Sequence, residues 1–210
     1  MGILTTVVGS YPVPDWLSAL PSEQALADAM AVVIKTQENA GIDLLADGEL
    51  GRFDINHPDT NGMIEYFVRP LGNVRSDISR ADLDAFRRDS GMSFRARPSA
   101  VVDGPIEEGS LDLPHDFSLA RSLTKAPLKF TLTGPHMLCK TLLDNHYGSR
   151  EALCAALADV LAAQVAEIDA EVVQVDEANL PGPPDEWEWA LNGINRILKK
   201  VKTTPAVHLC

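Results

Sequence analysis

The chain ends on two residues that could hold a metal ion together. His208 and Cys210 lie two positions apart in segment 204–210, which is predicted to be a β-strand. Because side chains alternate along a strand, the imidazole and the thiol point to the same face. Imidazole and thiolate are zinc-type ligands, although zinc normally takes at least three ligands from the protein. The last strand therefore predicts half of a zinc site, whose other ligands come from elsewhere.

Composition narrows the class of protein. The chain has 210 residues, of which 45% are hydrophobic, and this is enough for one large domain with a substantial core. The formal net charge of −12 disfavours nucleic acid and anionic membranes as partners, because phosphate binding depends on clustered Lys and Arg. We therefore expect a soluble protein that binds a small molecule.

The sequence predicts no segment for targeting or membrane insertion. Its N-terminal residues lack the basic flank and apolar run of a signal peptide, and no stretch approaches the roughly 20 apolar residues that span a bilayer. The cysteines Cys139, Cys154 and Cys210 are odd in number and lack the spacing of a disulfide framework, so we expect reduced thiols. These features together favour a cytoplasmic protein.

Strand-like and helix-like segments alternate along most of the chain. Ser22 is the predicted N-cap of a helix that stops at Gly41. Segment 52–115 reads as an irregular insertion over one face, with a short helix at 80–88 and extended pieces near 94–102. The predicted strands are 5–11, 42–45, 128–133, 172–175 and 204–210, and the other predicted helices are 116–125, 150–170 and 185–200. This alternation predicts one α/β domain over 1–210 with a parallel sheet.

Polar residues gather where each predicted strand ends. In a (β/α)₈ barrel of the TIM type, this end of the strands carries the active site. Only about five of the eight βα units of such a barrel are predicted here, so the barrel is open and leaves a strand edge without a partner. We therefore expect a fragment, or a chain that a second copy or another subunit completes. The clusters are Gly9-Ser10, Asp47-Gly48-Glu49, Gly134-Pro135-His136, Asp176-Glu177 and His208 with Cys210.

The order and spacing of several segments resemble the catalytic barrel of cobalamin-independent methionine synthase. The likeness runs along nearly the whole chain and is greatest to the short, single-barrel relatives of that enzyme, which include the epoxyalkane coenzyme M transferases. The resemblance implies a zinc enzyme that transfers a methyl group to a thiol. It is carried by segment 5–12, Asp47-Gly48-Glu49, segment 63–67, Leu132-Thr133-Gly134-Pro135, segment 174–177 and His208-Leu209-Cys210.

The resemblance also implies a ligand set for zinc. The family's His and Cys on the fifth strand bind the metal, and these residues match His208 and Cys210. The family's remaining ligands, a Glu and a second Cys, belong to strands beyond position 210. A coordinating cation deprotonates a thiol that otherwise titrates near pH 8.5, and this gives a competent sulfur nucleophile.

The substrate residues are likewise implied by the resemblance. Gly9 and Ser10 match the residues that hold the carboxylate of the amino acid, and Glu49 and Asp176 match the acids that hold its ammonium. The family's Asp-Glu-Pro is Asp-Glu-Ala here, with Ala178 in place of proline, and the region of the methyl donor has diverged. The identity of the thiol and of the donor is therefore less defined than the thiol chemistry.

A methyl donor of this kind needs a proton at its leaving nitrogen. A carboxylic acid or a histidine on the same rim suits this role, and His136 and Glu177 are the candidate catalytic residues.

Each of these residues also has a structural interpretation. Asp47 and Glu49 could cap the following segment or pair with Arg52, and Gly9-Ser10 could be turn residues. Asp176 and Glu177 could be acids at the start of a helix, where the helix dipole stabilises them.

The sequence thus leaves three functional hypotheses. The favoured one is a zinc-dependent methyltransferase that moves a methyl group from a folate-type donor to homocysteine, with alkylation of another thiol such as coenzyme M as an alternative. The second is an inactive partial barrel that needs a homo-oligomer or a complementing chain. The third is a module that binds a thiol or an amino acid through Gly9, Ser10, Glu49 and Asp176 without chemistry.

Overall fold

The computed structural model describes residues 2–89, 95–180 and 184–210. Within these ranges the α-helices are α1 Asp15–Ala19, α2 Glu23–Asn39, α3 Glu65–Val68, α4 Arg80–Asp89, α5 Leu113–Ser122, α6 Pro135–Thr141, α7 Arg150–Val165 and α8 Trp187–Leu198. The strands are β1 Leu45–Ala46, β2 Gly72–Arg75, β3 Val101–Glu107, β4 Leu128–Thr133, β5 Leu143–Asp144, β6 Val172–Glu177 and β7 Thr204–Leu209. Short 3₁₀ turns lie at Leu50–Arg52 and Pro184–Glu186.

The main sheet is parallel, as the alternating pattern predicts. Its strands lie in the order β1, β4, β6, β7, and each neighbouring pair runs in the same direction. Helix α7 lies in the connection from β4 to β6, and α8 lies in the connection from β6 to β7. Because all four strands run the same way, their carboxyl ends share one edge of the sheet.

Helix α7 covers the core with the side chains that its spacing predicts. Leu153, Leu157, Leu161 and Val165 are all buried in one large apolar cluster, together with Ile168 just beyond the helix. The Ser149 side chain accepts a hydrogen bond of 3.1 Å from the Ala152 N–H and so caps the start of the helix. The repeat of apolar residues therefore fixes which side of α7 faces the sheet.

The region predicted as an irregular insertion contains regular structure. Strands β2 and β3 pair antiparallel, and β3 pairs parallel with β5 to form a separate three-stranded sheet. The short helix predicted at 80–88 is confirmed as α4. The extended piece predicted near 94–102 begins outside the described residues, and within them β3 starts at Val101.

Several predicted elements have different bounds. The strand predicted at 5–11 is only a bridge between Thr6 and Leu44. The helix predicted at 150–170 ends at Val165, and the helix predicted at 116–125 starts earlier, at Leu113, where Asp112 accepts a hydrogen bond from the His115 N–H. The predicted N-cap Ser22 is confirmed, since its hydroxyl accepts from the Ala25 N–H at 3.1 Å.

The structure also bears on membrane insertion. Among the helices of the described ranges, none combines the length and the apolar character that crossing a bilayer requires.

Candidate active site

The register of the main sheet places three polar residues side by side in one row across the strands. Thr133 on β4 pairs with Asp176 on β6, which in turn pairs with His208 on β7. Residues paired across a sheet point to the same face, so the three side chains lie side by side near the carboxyl ends of their strands. We call this face the lumen face, because it is the concave side in a βα-barrel.

Asp176 is the centre of this row. Its Oδ1 accepts a hydrogen bond of 2.5 Å from Gln174 Nε2 and lies 3.3 Å from His208 Nδ1. Burial raises the pKa of Asp176, and the Gln174 hydrogen bond and the Arg52 guanidinium act in the opposite direction. The carboxylate is thus held between an amide and an imidazole at the rim.

His208 and Cys210 also meet, as their spacing predicts. The Cys210 Sγ lies 3.9 Å from His208 Nδ1, and the Cys210 side chain is exposed. Across the described ranges, no group of three or more His, Cys, Asp or Glu side chains is arranged to hold a metal ion. The described residues therefore provide a pair of possible ligands.

Glu49 lies on the turn that follows β1. Its Oε2 accepts a hydrogen bond of 2.5 Å from Ser10 Oγ and forms an ion pair of 3.1 Å with Arg52 Nη1. The backbone of Glu49 has a φ of 60°, a left-handed conformation that costs a non-glycine residue about 1 kcal/mol or more. Such strain clusters at functional sites, and here it directs a carboxylate toward Ser10.

The neighbouring Asp47 holds this turn in place. Its carboxylate accepts hydrogen bonds from the Glu49 N–H at 2.8 Å and the Gly51 N–H at 3.3 Å. Burial raises the pKa of Asp47, against the effect of Arg52 and of these two hydrogen bonds. Asp47 is thus a structural anchor for Glu49, which matches its alternative interpretation as a capping residue.

Gly9 and Ser10 reach the same turn from the N-terminal segment. The Tyr11 N–H donates to the Gly48 carbonyl at 2.9 Å, which ties this segment to the end of β1. Gly9 has a φ of 87°, which favours glycine, and a Cβ added there would meet nothing within 4 Å. The backbone conformation, rather than crowding, therefore explains glycine at this position.

Two buried cations face the predicted acids, and our sequence interpretation gave neither a role in the site. Arg52 donates through Nη2 to the Thr131 carbonyl at 2.8 Å and to its hydroxyl at 2.7 Å, and its guanidinium lies 5.1 Å from the Phe67 ring centre. Lys129 donates to the Val7 carbonyl at 2.8 Å and to Gln174 Oε1 at 3.0 Å. Both cations are almost fully buried.

The charge of Lys129 is set by opposing effects. Burial lowers the pKa of Lys129, whereas the carboxylates of Asp176 and Glu49 raise it. A sequence signal for this polar face exists, because Lys129, Thr131 and Thr133 alternate with apolar residues in a strand that is buried throughout. A parallel strand with two apolar faces would read as a continuous hydrophobic run.

The two predicted catalytic residues lie together, but on the face of the sheet opposite the lumen face. Glu177 follows Asp176 on β6, so strand alternation points its side chain to the opposite face, toward the helices. His136, at the start of α6, packs there with Nδ1 3.5 Å from Glu177 Oε1 and Nε2 2.7 Å from Glu186 Oε2, which also pairs with Lys140 at 2.7 Å.

This cluster is separate from the row of Asp176 and His208. Both His136 and Glu177 are fully buried, and the Met137 N–H donates to Glu177 Oε2 at 3.3 Å. Through this hydrogen bond, Glu177 connects the end of β6 to the start of α6. The catalytic role of the two residues stays a prediction, which their position behind the sheet does not favour.

The fold and the rim define a βα-barrel-type protein with acidic, imidazole and thiol groups at the carboxyl ends of its strands. A comparison with protein families matches residues 3–190 to the family described as the catalytic domain of cobalamin-independent synthase. The match covers most of the chain, so the chain belongs to this family. The resemblance seen in the sequence is thereby confirmed.

Individual relatives agree with the family. The methionine synthases of Sulfurisphaera tokodaii and Thermococcus kodakarensis are 28% and 29% identical to the chain, over 98% of its length and 61% of their own. A B12-independent methionine synthase from a Shewanella species, solved in complex with selenomethionine, is 26% identical with a TM-score of 0.77, and the match covers 98% of this chain and 61% of that one. The predicted barrel-type fold is therefore confirmed, and the chain spans about three fifths of the length of these relatives.

Proposed function

We propose that the chain carries the thiol-binding rim of a zinc-dependent methyltransferase, which transfers a methyl group from a folate-type donor to homocysteine and gives methionine. The observation that carries this proposal is the placement of His208 and Cys210 next to Asp176, with Glu49 and Ser10 at the carboxyl end of a strand in the same sheet. Membership of the methionine synthase family supports it.

The donor set fits zinc in part. The Cys210 Sγ lies 3.9 Å from the His208 ring, so the two side chains are close enough to hold one metal ion together. His208 and Cys210 would thus be two of the ligands, and the resemblance assigns a Glu and a Cys outside this chain to the others. When bound, zinc would supply a thiolate at neutral pH.

The protein's own acids would orient the amino-acid part of the substrate. Glu49 Oε1 and Asp176 Oδ2 accept no hydrogen bond among the described residues, so each acid offers one free oxygen to an ammonium group. A bound ammonium would favour the ionised form of Asp176, whose pKa burial raises.

The role proposed for Gly9 and Ser10 is carried by their backbone. The Ser10 hydroxyl has one proton and donates it to Glu49, so it is committed while that hydrogen bond lasts. The positive φ of Gly9 sets the direction of the peptide that joins it to Ser10. We therefore assign the substrate carboxylate to this peptide and assign the Ser10 hydroxyl to holding Glu49.

The substitution Glu49→Gln tests the ammonium site. We expect it to raise the dissociation constant of homocysteine at least tenfold, because it removes one of the two charges that face the ammonium. Binding of 4-mercaptobutanoate, which has the thiol and the carboxylate but no ammonium, should change less than twofold. Isothermal titration calorimetry measures both ligands, with Glu108→Gln on an exposed loop as the matched control.

The two dissociation constants distinguish a role of Glu49 in binding the ammonium from a role in the fold alone. Equal losses for both ligands would mean that Glu49 acts only through the fold, which thermal unfolding of the variant would reveal. Unchanged homocysteine binding would contradict the ammonium site. Binding of 2-mercaptoethanesulfonate in preference to homocysteine would identify the substrate as another thiol.

A further inference from the structure

A cavity of about 280 Å³ lies beside the turn that carries Glu49. Residues of α2, α3 and α5 line it, and Gly51 of the turn forms part of its wall. The described residues around the cavity do not include Glu49, Asp176 or His208, so the cavity is separate from the proposed thiol site. Its apolar wall consists of Leu26, Phe53, Ile55 and Pro70.

Most acids of the cavity wall already have partners within the protein. Glu65 forms ion pairs with Arg69 at 3.1 Å and with Arg95 at 3.4 Å. Asp54 lies 3.0 Å from His57 Nδ1, and its other oxygen accepts hydrogen bonds from two backbone N–H groups. These two carboxylates are therefore engaged in holding the wall together.

Asp116 is the exception among these acids. Its Oδ2 accepts a hydrogen bond from the hydroxyl of Tyr66, which is a neutral partner. Within the described part of the chain, no group donates to Asp116 Oδ1, and no cation lies within ion-pair distance of this carboxylate. The Tyr66 oxygen donates its one proton to Asp116 and can still accept through its lone pairs. Asp116 Oδ1 and the Tyr66 oxygen are therefore two adjacent acceptors that no described residue satisfies.

These two acceptors define the chemistry of a ligand. They need hydrogen-bond donors, and a partly buried carboxylate attracts a cation more strongly than an exposed one does. The rings of Phe53 and Tyr66 line the same cavity, and aromatic faces also attract cations. The apolar wall favours an alkyl chain next to the charged group. The volume lies just below the range of about 300 to 1,000 Å³ that is typical for drug-sized ligands, so a ligand of a few heavy atoms fits.

We propose that this cavity binds a small organic cation, a primary alkylammonium. Its charged group would contact Asp116 and the Tyr66 oxygen, and its alkyl chain would pack against Leu26 and Ile55. The ammonium site proposed at Glu49 takes the amino group of a thiol substrate, whereas this cavity takes an amine without a thiol. The inference rests on the cavity and does not depend on the proposed methyl transfer.

The test is isothermal titration calorimetry of the 210-residue chain with n-butylammonium chloride at pH 7.5. Asp116→Asn keeps the shape of the side chain and removes its charge, so we expect it to weaken binding about tenfold or more. Asp169→Asn makes the same change at an exposed position outside the cavity and should leave the affinity within about twofold. Glu49→Gln should also leave it within about twofold. Butan-1-ol, which has the same alkyl chain without the charge, should bind about tenfold more weakly or less.

A titration of the wild type at pH 5 tests the cavity without a variant. Burial raises the pKa of Asp116 to about 6, so this carboxyl is about 90% protonated at pH 5 and ionised at pH 7.5. Butylammonium is charged at both pH values, and we expect its affinity to be about tenfold lower at pH 5. Asp116→Asn should lose most of this difference. The titratable groups around Asp116 are Asp47 of the turn, Glu23 of α2, Tyr66 of α3, and Asp112 and His115 of α5.

Four results would overturn the proposal. One is a wild type that does not bind butylammonium, and another is equal binding by the wild type and Asp116→Asn. The third is equal binding of butan-1-ol and butylammonium, which would make the cavity merely apolar. The fourth is loss of binding in Glu49→Gln, which would place the cation at the rim. Homocysteine enters none of these titrations, so a failure here is distinguishable from a failure of the proposed function.

Discussion

The carboxyl group of Asp116 is packed against Tyr66 between α5 and α3, and Tyr66 donates its hydroxyl proton to it. Burial raises the pKa of Asp116 to about 6, and the Tyr66 hydrogen bond lowers it. The same contact and burial raise the pKa of Tyr66, which stays a neutral donor over the ordinary pH range. Asp116 is therefore a carboxyl group that changes charge near neutral pH.

The raised pKa of Asp116 predicts a pH-dependent stability. Because the folded state holds the proton more tightly, the favourable contribution of the protonated group is complete below pH 4 and is lost as the pH rises through 6. A rise of the pKa from 3.8 to about 6 corresponds to about 3 kcal/mol of unfolding free energy. We expect the stability of the protein relative to Asp116→Asn to fall by about that amount between pH 4 and pH 7. Urea unfolding of both proteins measures it, and parallel pH profiles would contradict the prediction.

Single residues differ in how well the sequence reveals them. Glu49, Asp176 and His208 were predicted because each lies at the carboxyl end of a predicted strand, and the structure brings Asp176 and His208 into contact. The sequence indicated Arg52 only as a possible partner of Asp47 or Glu49, and the structure contains its ion pair with Glu49. Its contact with Thr131, 79 positions away, was not predicted, and neither were the contacts of Lys129, because these partners are distant in sequence.

Alternation along β6 separates two neighbouring acids onto two faces of the sheet. Asp176 reaches His208 on the lumen face, and Glu177 reaches His136 and the start of α6 on the helix face. Both acids follow the same strand, so the sequence placed them in one cluster. The sequence did not show that the two acids point to opposite faces of the sheet, because the end of β6 was predicted two residues too early, at 175.

The contact of Glu177 with α6 requires glycine at position 134. A Cβ added to Gly134 would overlap Glu177 Oε2 and would come within 3.0 Å of its Cδ. Gly134→Ala should therefore destabilise the protein by about 1 to 3 kcal/mol, as measured by urea unfolding. Combining it with Glu177→Asp, which shortens the clashing side chain, should recover part of the loss. A single variant as stable as the wild type would contradict this account of the contact.

Other elements show which sequence signals are reliable. The apolar repeat of α7 and the cap at Ser22 were predicted correctly because they depend on neighbours within four positions. The strand predicted at 5–11 was reduced to a bridge, because a strand needs hydrogen-bonding partners that its own sequence does not supply. Helix α6 was not predicted, since the Gly134-Pro135 pair that follows β4 is typical of a turn.

The molecule as a whole is an α/β protein with an open parallel sheet that belongs to the family of the cobalamin-independent synthase catalytic domain. The alternation of strands and helices was sufficient to predict this type of fold from the sequence. The proposed site includes the end of β7, which carries His208 on one face of the sheet and Leu209 on the other.

The most direct test of the proposed chemistry is zinc binding to the 210-residue chain, measured by equilibrium dialysis at micromolar zinc. We expect the wild type to bind at most one zinc per chain, and weakly, because His208 and Cys210 are two ligands of a site that normally takes at least three. His208→Ala should weaken binding at least tenfold, because it removes one of the two ligands that the chain provides. His146→Ala, in an exposed loop, should match the wild type. Equal zinc binding by the wild type and His208→Ala would contradict the assignment of the site.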